Sequence, residues 1–512
     1  MISIHGDALS KVDYIDPRYQ ELVAANERLA LKDATLWGQE AATEAGIRLN
    51  WIDLPSQSRE LLPELDALSA KFRHCTRVIL CGMGGSSLGP EVIAATYKRD
   101  LFVLDSTDPT YISHALQGDF AKTVVIVSSK SGGTIETASQ RALFEAHFLS
   151  LGISPQEQMV IVTDPGSPLD VDARARGFIV INADPKVGGR FSALSAFGLV
   201  PAALIGVDVS LLLDSAQECI EQLIAPRSPA IAASFLIAHY ADQYLTFNDS
   251  HSTMPGLSDW IEQLIAESTG KNNIGRLPVV IEESGAITSG QAMHIAFAGR
   301  ADLVVEGDLG AQFIFWEWTT ALLGVALGVD PFNQPNVTEA KNQTSILLQE
   351  WSGVVPQTQP VSQEGVVEIF ANAQSVIEAL TNVVDGVSAD GYIAVMAYLD
   401  RNDDAEIAQL RRVLAEKSGR PVTFGWGPRF LHSTGQFHKG GQQNGIFLQI
   451  TGESQEDVLV PGKEFSFHTL IMAQALGDAR ALESRGFTVV RLHIQSREDG
   501  VAQILDAARS II

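Results

Sequence analysis

Between residues 76 and 182, short runs of β-branched residues alternate with amphipathic helical stretches, and this alternation constrains the fold more than any other feature. The runs are RVILCG, DLFVLD, TVVIVSS, QMVIVTD and GFIVIN. Strands that alternate with helices form βαβ units, in which helices cover both faces of a parallel sheet. A second series of strand candidates has the same character: LPVVIE, DLVVEG, GYIAVMAYL, PVTFGWG, GIFLQIT and TVVRLHI. We therefore predict an α/β protein with two doubly wound parallel-sheet domains and extra helices.

The pattern also suggests where the domains begin and end. Residues 1–72 are predicted to form a mostly helical segment, residues 73–220 a first α/β domain, and residues 221–512 a second α/β domain with helical insertions. Residues 206–250 are predicted to be helical, and FIFWEWTTALLGVALG is predicted to be a largely buried helix. The stretch SGVVPQTQPVSQEG is typical of an exposed connector.

Composition excludes several classes of partner. The chain has 512 residues with a formal net charge of −25, which argues against a nucleic-acid partner, because binding there requires Lys and Arg to neutralise phosphates. The three cysteines show neither metal nor disulfide spacing, so a reducing compartment fits. The N-terminal stretch MISIHGDALSKVDYID has no signal-peptide core, and no apolar run is long enough to span a membrane. We predict a cytoplasmic protein without a membrane partner.

The stretch VVIVSSKSGGTIET is the strongest candidate for a binding site. A buried strand passes through a Gly-rich turn into a helix start, where free backbone N–H groups and the helix dipole favour an anion. Ser129, Ser131 and Thr134 add hydroxyl donors, and Lys130 adds a positive charge. This pattern predicts a monophosphate site, although a Ser/Gly-rich turn that merely caps a helix is the alternative. The nucleotide P-loop pattern is not met.

A second Gly-rich loop, CGMGGSSLGP, follows the first strand and contains Gly85 and Ser86. It resembles a dinucleotide fingerprint, with Asp105 at the end of the next strand as a possible ribose ligand. The fingerprint fails because Ser87 stands where the third glycine is required. The loop instead predicts a second set of backbone donors at a helix start, suited to a sugar hydroxyl or a phosphate.

Two charged residues stand next to turns. Arg190 follows two glycines and opens an apolar helix in VGGRFSALSAFG, where it needs an anionic partner. Glu267 ends a helical run in IEQLIAESTGK. The simpler alternatives are a structural salt bridge for Arg190 and a surface Glu–Lys pair for Glu267.

Further candidates lie toward the C-terminus. In VDPFNQPNVTEAK, Gln334 and Lys341 are seven positions apart and share one helix face. In PRFLHSTGQFHKGGQQNGIFLQI, His432 and His438 flank a small polar turn before an apolar strand. Isolated histidines of this kind are usually unremarkable.

Taken together, the motifs GMGGSSLGP, SSKSGGTIET, VGGRFSALSAFG, ESTGK and FNQPNVTEAK resemble the glucose-6-phosphate isomerase family in content and order, from about residue 73 to residue 341. The FLHSTGQFHKGG stretch looks like the isomerase half of the bacterial transaldolase/isomerase fusion proteins, and no transaldolase half occurs in these 512 residues. The resemblance implies two sugar-isomerase (SIS) domains, a homodimer, and no cofactor or metal.

The resemblance also implies roles for individual residues. Glu267 matches the family's catalytic base, Arg190 the group that stabilises the enediol, and Lys341 the Lys near the ring oxygen. The residues that match positions contacting the sugar or its phosphate are Gly85, Ser86, Ser129, Lys130, Ser131, Thr134 and Gln334. His438 matches a turn of short bacterial isomerases and is assigned to ring opening, with His432 in reserve, because in those relatives the His precedes the Lys helix and here it follows it.

The implied reaction is the reversible isomerisation of glucose 6-phosphate and fructose 6-phosphate through a cis-enediol, by metal-independent general acid–base catalysis. Three alternatives stay open. The chain could act on another sugar phosphate, such as a mannose or amino-sugar phosphate, as other SIS isomerases do. It could be a non-catalytic sugar-phosphate sensor, which would not need Glu267 and Arg190. A NAD enzyme would need the fingerprint that fails.

Overall fold

The computed structural model describes residues 1–282 and 292–512. Within these residues the strands are β1 Ser3–His5, β2 Arg77–Cys81, β3 Phe102–Leu104, β4 Thr123–Ser128, β5 Met159–Thr163, β6 Ile179–Asn182, β7 Tyr244–Asn248, β8 Leu277–Val280, β9 Ala292–Ala296, β10 Leu303–Glu306, β11 Ser362–Glu364, β12 Val367–Ile369, β13 Tyr392–Tyr398, β14 Val422–Trp426, β15 Gly445–Gly452 and β16 Val489–Ile494.

The α-helices of the same residues are α1 Pro17–Ala30, α2 Ala42–Gly46, α3 Leu54–Gln57, α4 Leu62–Phe72, α5 Gly85–Thr96, α6 Pro109–Ala115, α7 Ile135–Ser150, α8 Pro155–Gln158, α9 Pro168–Ala175, α10 Ala196–Leu204, α11 Val209–Leu223, α12 Pro229–His239, α13 Leu257–Thr269, α14 Leu309–Leu327, α15 Val337–Trp351, α16 Val376–Gly386, α17 Leu410–Ser418, α18 Gly435–Gly440, α19 Phe467–Glu483 and α20 Arg497–Arg509.

The strands form three sheets. The first sheet has the order β3-β2-β4-β5-β6 and is parallel throughout. The second has the order β1-β10-β9-β7-β8, with only β1 antiparallel to its neighbour. The third has the order β11-β12-β16-β15-β13-β14, in which β13 to β16 are parallel and β12 is antiparallel to β16.

The first and third sheets are apolar on both faces, as parallel sheets covered by helices must be. In the first sheet, alternate residues of β4 enter two separate clusters: Val124 and Ile126 pack on one side, and Val125 and Val127 on the other. The third sheet behaves in the same way, with Ile393 and Ala394 of β13 on opposite sides. The predicted α/β class with doubly wound parallel sheets is confirmed.

The structure differs from the sequence prediction in several places. Strand β7 lies inside residues 206–250, which were predicted to be helical, because YLTFN is a short apolar run next to helix α12 and periodicity cannot separate the two. Strand β1 likewise lies in the N-terminal segment predicted to be mostly helical. The range 221–512, predicted as one second domain, contains two sheets rather than one. The boundaries themselves stay predictions.

The helix predicted in FIFWEWTTALLGVALG is confirmed as α14, which is buried from Leu309 to Gly324. Most of the connector at residues 352–365 is exposed or half-buried, and its last residues form β11. Among the helices that the structure describes, none combines the length and the apolar character needed to cross a bilayer.

Candidate active site

A cavity of about 120 Å³ lies where the loop after β4 meets helix α15 and the turn before α18. Thr134 and Glu136 line it from the β4 side, Lys341 from α15, and His432 from the turn. These residues come from three distant parts of the sequence. The cavity therefore brings two predicted site residues, Thr134 and Lys341, together with the reserve histidine.

The loop from Ser128 to Thr134 is closed by two hydrogen bonds between its own amides and hydroxyls. The amide of Gly132 donates to Ser129 Oγ and that of Gly133 to Ser131 Oγ, both at 3.2 Å. Gly132 has a φ of +74°, and a Cβ there would lie 2.5 Å from the Cβ of Leu169. Within the described residues, the side chain of Thr134 makes no capping hydrogen bond to helix α7. Its hydroxyl is thus available to a ligand at the helix start.

Lys130 points to a carboxylate at the edge of this loop. Its Nζ lies 2.6 Å from Asp164 Oδ2 and donates to the carbonyl of Pro185 at 3.2 Å. Burial lowers the pKa of Lys130 and raises that of Asp164, and each group offsets part of the other's shift. A phosphate bound here would therefore compete with Asp164 for the ammonium group.

Arg190 is buried and held by a dense set of acceptors. Its Nε donates to Ser268 Oγ at 2.8 Å and its Nη1 to Gln334 Oε1 at 2.8 Å. Its Nη2 donates to the carbonyls of Pro331 and Asn333. Burial lowers the pKa of the guanidinium. Because each guanidinium nitrogen has a hydrogen-bond acceptor, the positive charge of Arg190 is held in a fixed position.

Glu267 lies on the last turn of α13, and its carboxylate faces the guanidinium of Arg190. Its Oε1 lies 3.1 Å from Arg190 Nη1, and its side chain is 12% exposed. The amide of Gln263 donates to Glu267 Oε2 at 3.1 Å and to the carbonyl of His432 at 2.8 Å. One amide therefore joins the carboxylate to the turn that carries the histidine. Of the two simpler alternatives, the surface Glu–Lys pair is not formed, because Lys271 is buried and donates to the carbonyl of Asp330. The other alternative, a salt bridge for Arg190, is formed, and its partner is Glu267.

The Gly-rich loop CGMGGSSLGP, between β2 and α5, holds these segments close together. A Cβ on Gly85 would lie 1.9 Å from the carbonyl oxygen of Gly189, next to Arg190. A Cβ on Gly84, which has a φ of +56°, would lie 2.7 Å from Gln263 Nε2 and 2.8 Å from the carbonyl of His432. Only glycine permits such backbone contacts. Ser86, predicted to contact the sugar, lies buried in the first turn of α5 beside them.

His432 is paired with an acid. Its Nε2 lies 3.0 Å from Glu136 Oε1, which also accepts a hydrogen bond of 2.7 Å from Gln474 Nε2. Burial by itself raises the pKa of the Glu136 carboxyl, but the charges of His432 and Lys341 outweigh this and lower it. Glu136 therefore stays ionised and orients the imidazole at the cavity wall.

His438 lies elsewhere. Its ring stacks on Tyr392 with a centroid separation of 5.7 Å, and Phe447 packs against its edge. Its Nδ1 lies 3.0 Å from the hydroxyl of Tyr392, and burial lowers its pKa to about 3. The structure does not bring His438 into the cavity. His438, which the sequence favoured, is therefore a neutral core residue, whereas His432, the reserve candidate, lines the cavity.

Sequence reasoning missed Glu136, Gln263 and Gln474. Glu136 belongs to the motif SSKSGGTIET, but the sequence indicated no role for it beyond membership of the helix that follows the loop. Its position two residues after Thr134, at the start of a helix, was the available signal. Gln263 lies one helical turn before Glu267, which places both on one face of α13. Gln474 is far away in sequence and carried no signal.

Residues 59–297 match the family model "Phosphoglucose isomerase". The glucose-6-phosphate isomerase of Thermus thermophilus is 33% identical over 240 residues, which are 44% of this chain and 57% of the relative. The "Probable glucose-6-phosphate isomerase" of Haloarcula marismortui is 33% identical over 241 residues, 44% of this chain and 54% of the relative. The chain spans about half the length of the curated relatives it matches. The predicted family resemblance is confirmed over these residues.

A solved glucose-6-phosphate isomerase from Chlamydia trachomatis is similar in structure. The TM-score is 0.53 at 19% identity, and the match covers 65% of this chain and 84% of the other. At this level of identity the likeness concerns the fold alone.

Proposed function

We propose that this chain interconverts glucose 6-phosphate and fructose 6-phosphate. The observation that carries the proposal is the cluster in which Glu267 faces Arg190 and is joined through Gln263 to the turn of His432. An aldose–ketose isomerisation requires one base that reaches two adjacent carbons, a positive charge near the developing enediolate, and a proton donor for the ring oxygen. The cluster and the cavity beside it offer one candidate for each of these tasks.

Glu267 would act as the base that moves the proton between carbon 2 and carbon 1. One carboxylate oxygen, Oε2, accepts a hydrogen bond from Gln263, and the other can pivot between the two carbons. A carboxylate is effective in this task when its pKa approaches the working pH. Arg190 would stabilise the negative charge of the enediolate, and its hydrogen bonds fix it in place before the charge develops.

For ring opening we propose His432 in place of His438, with Lys341 beside it. His432 lines the cavity and has a charged partner, Glu136, that holds its Nε2. An acid that orients an imidazole and stabilises its protonated form is a familiar way to make a proton shuttle. His438 is buried and forms no ion pair with any residue that the structure describes, and its lowered pKa keeps the imidazole neutral near pH 7.

The phosphate would lie on the loop from Ser129 to Thr134, at the start of α7. The hydroxyls of Ser129, Ser131 and Thr134 and the Lys130 ammonium are the groups that would bind it. The amides of Gly132 and Gly133 donate to Ser129 and Ser131, and they would exchange these partners for the phosphate. Gly85 and Ser86 at the start of α5 would contact the sugar. We further propose that the protein is a cytoplasmic homodimer. The three cysteines are free thiols, which supports a reducing compartment.

A coupled assay tests this function. Fructose 6-phosphate is supplied and the glucose 6-phosphate formed is measured, with mannose 6-phosphate and glucosamine 6-phosphate as parallel substrates. We expect turnover of fructose 6-phosphate. Turnover confined to one of the other sugars would assign the chain to a different isomerase, and tight sugar-phosphate binding without turnover of any would make it a sensor.

A further inference from the structure

A second cavity lies at the carboxyl edge of the third sheet, away from the site described above. Its volume is about 950 Å³. Strand β13 has β14 on one side and β15 on the other, so the order of the strands reverses there. In open α/β sheets a ligand crevice forms at this reversal, outside the carboxyl ends of the strands. Most of the charged side chains that line the cavity are acidic: Asp403, Asp404, Glu406, Glu453, Glu456 and Glu498, with Arg497 as the cation.

Three potential metal ligands meet at the wall of this cavity. They are His114 at the end of α6, and Asp400 and Asp403 in the loop after β13. The Nδ1 of His114 lies 3.3 Å from Asp400 Oδ2, and its Nε2 lies 3.4 Å from Asp403 Oδ2. The three ligand atoms all lie within 4.8 Å of one another. Asp403 and Ser113, the neighbour of His114, line the cavity.

Asp400 is the ligand whose surroundings most favour a bound cation. Its side chain is fully buried, and its Oδ1 accepts hydrogen bonds from the amides of Asn402 and Asp403. Among the described residues, no hydrogen bond reaches Oδ2, the oxygen that faces His114. The arginine of the cavity does not neutralise it, because Arg497 donates to Asp108 and Asp404. His114 Nδ1, at 3.3 Å, is the group that faces this oxygen. A buried carboxylate oxygen that accepts no hydrogen bond is costly unless a cation stands beside it.

We propose that His114, Asp400 and Asp403 bind one divalent transition cation, such as Mn²⁺ or Zn²⁺. Two carboxylates favour a divalent ion, and the imidazole favours a transition metal over Mg²⁺ or Ca²⁺. Only one ring nitrogen of His114 can bind the ion, so just one of its two short contacts with the aspartates is part of the site. The three ligand atoms lie within 4.8 Å of one another, and each must move by up to roughly 0.7 Å to stand about 2.1 Å from one ion. Three protein ligands leave coordination positions open toward the cavity.

This cluster cannot be recognised from the sequence. The reason is that His114 belongs to the first sheet's helices and the two aspartates to the third sheet, so their proximity depends on how the chain folds. An ion bound here would also have a structural role, because it would join α6 to the loop after β13. An ion that binds only the folded chain raises its stability.

Titration of the EDTA-treated full chain tests the proposal. Calorimetry with MnCl₂ and ZnCl₂ is expected to show one ion per chain, with MgCl₂ and CaCl₂ much weaker. CoCl₂ is expected to give visible absorption bands that disappear in His114→Ala. The melting temperature is expected to rise with the free concentration of the ion. We expect His114→Ala and Asp403→Asn to lower the affinity by at least about 10-fold, the smallest loss typical even for an outer-sphere partner.

Glu456→Gln is the matched control, because Glu456 lines the same cavity without being a ligand. It removes the same charge as Asp403→Asn and is expected to leave the affinity within about 2-fold. Equal losses in both variants, or several weakly bound ions, would mean that the acidic cavity merely attracts cations, and the proposal would fall. It would also fall if no ion bound. Isomerase activity is expected to be similar with and without the ion, so this result and the proposed function are tested independently.

Discussion

The carboxyl edges of the first and third sheets share an architecture and have opposite electrostatics. After β4 the chain offers hydroxyls, loop amides and Lys130. After β13 it offers Asp400, Asp403 and Asp404, with His114 from α6. Both edges are places where a parallel sheet opens a crevice. The fold therefore fixes where a ligand can bind, and the loop residues decide which charge it carries.

This contrast explains how a chain with a net charge of −25 could use a phosphate ester. Six acidic side chains line the cavity at the third edge, whereas Lys130 and Arg190, the cations proposed to contact the substrate, follow strands of the first sheet. Fold-level similarity alone would not distinguish the two edges, because the site and not the sheet determines function.

The largest expected effect is at Glu267. Glu267→Gln keeps the size of the side chain and its bond to Gln263 but cannot accept a proton, so kcat is expected to fall by about 10²–10⁴-fold or more. Steady-state kinetics in the coupled assay measure this. Binding of a five-carbon sugar-acid phosphate should persist at one molecule per chain, because the phosphate loop is unchanged. Retention of more than about a tenth of the wild-type kcat, against that expected cost, would place the base elsewhere.

The second prediction separates two histidines that stand six positions apart in sequence. His432→Ala should lower conversion of the cyclic sugar by about 10²-fold or more, the usual cost of losing a general acid, yet spare proton exchange on an open-chain substrate. Exchange into solvent followed by NMR separates the two steps. His438→Phe serves as the paired variant, and we expect near-normal turnover for its folded fraction. The opposite pattern would return ring opening to His438.

The third prediction concerns the phosphate loop. Lys130→Ala removes a charge-assisted contact to a part of the substrate that does not react, so KM should rise by about 10- to 100-fold with kcat largely unchanged. Asp164→Asn is the counterpart, since it removes the carboxylate that competes for Lys130, and its KM should be equal to or lower than that of the wild type. An unchanged KM for Lys130→Ala would mean that the substrate phosphate does not bind to this loop.

The smallest effect is a pH dependence of stability. Burial lowers the pKa of His438 to about 3 from its ordinary 6.5, so the unfolded chain binds a proton that the folded chain does not. Below pH 6.5 this lowers the free energy of unfolding by at most about 1.4 kcal/mol per pH unit, until the pH nears 3. Denaturant unfolding at pH 7 and pH 4.5 should show a smaller loss for His438→Phe than for the wild type. Equal losses would mean that His438 is accessible to protons when folded.

The sequence predicted most of the parallel strands because continuous β-branched runs bounded by glycines leave few alternatives. It also singled out Arg190 and Glu267 as candidates, and the structure places their side chains 3.1 Å apart. It could not identify Gln474 as a partner of Glu136, because their contact is made only by the tertiary fold. We prefer His432 to His438 for a related reason: the sequence does not show that His432 lines the cavity while His438, six residues later in α18, is buried in the core.

Strand β1 has a consequence for synthesis of the chain. Ser3 pairs with Glu306, and Ile2 is buried beside this strand. A ribosome that adds about 5–20 residues per second makes the partner strand roughly 15–60 s after β1. Through that interval β1 has an unpaired edge in a nascent protein, open to pairing with other chains. The second sheet is thus completed only when β1 pairs with a strand that is made about 300 residues later.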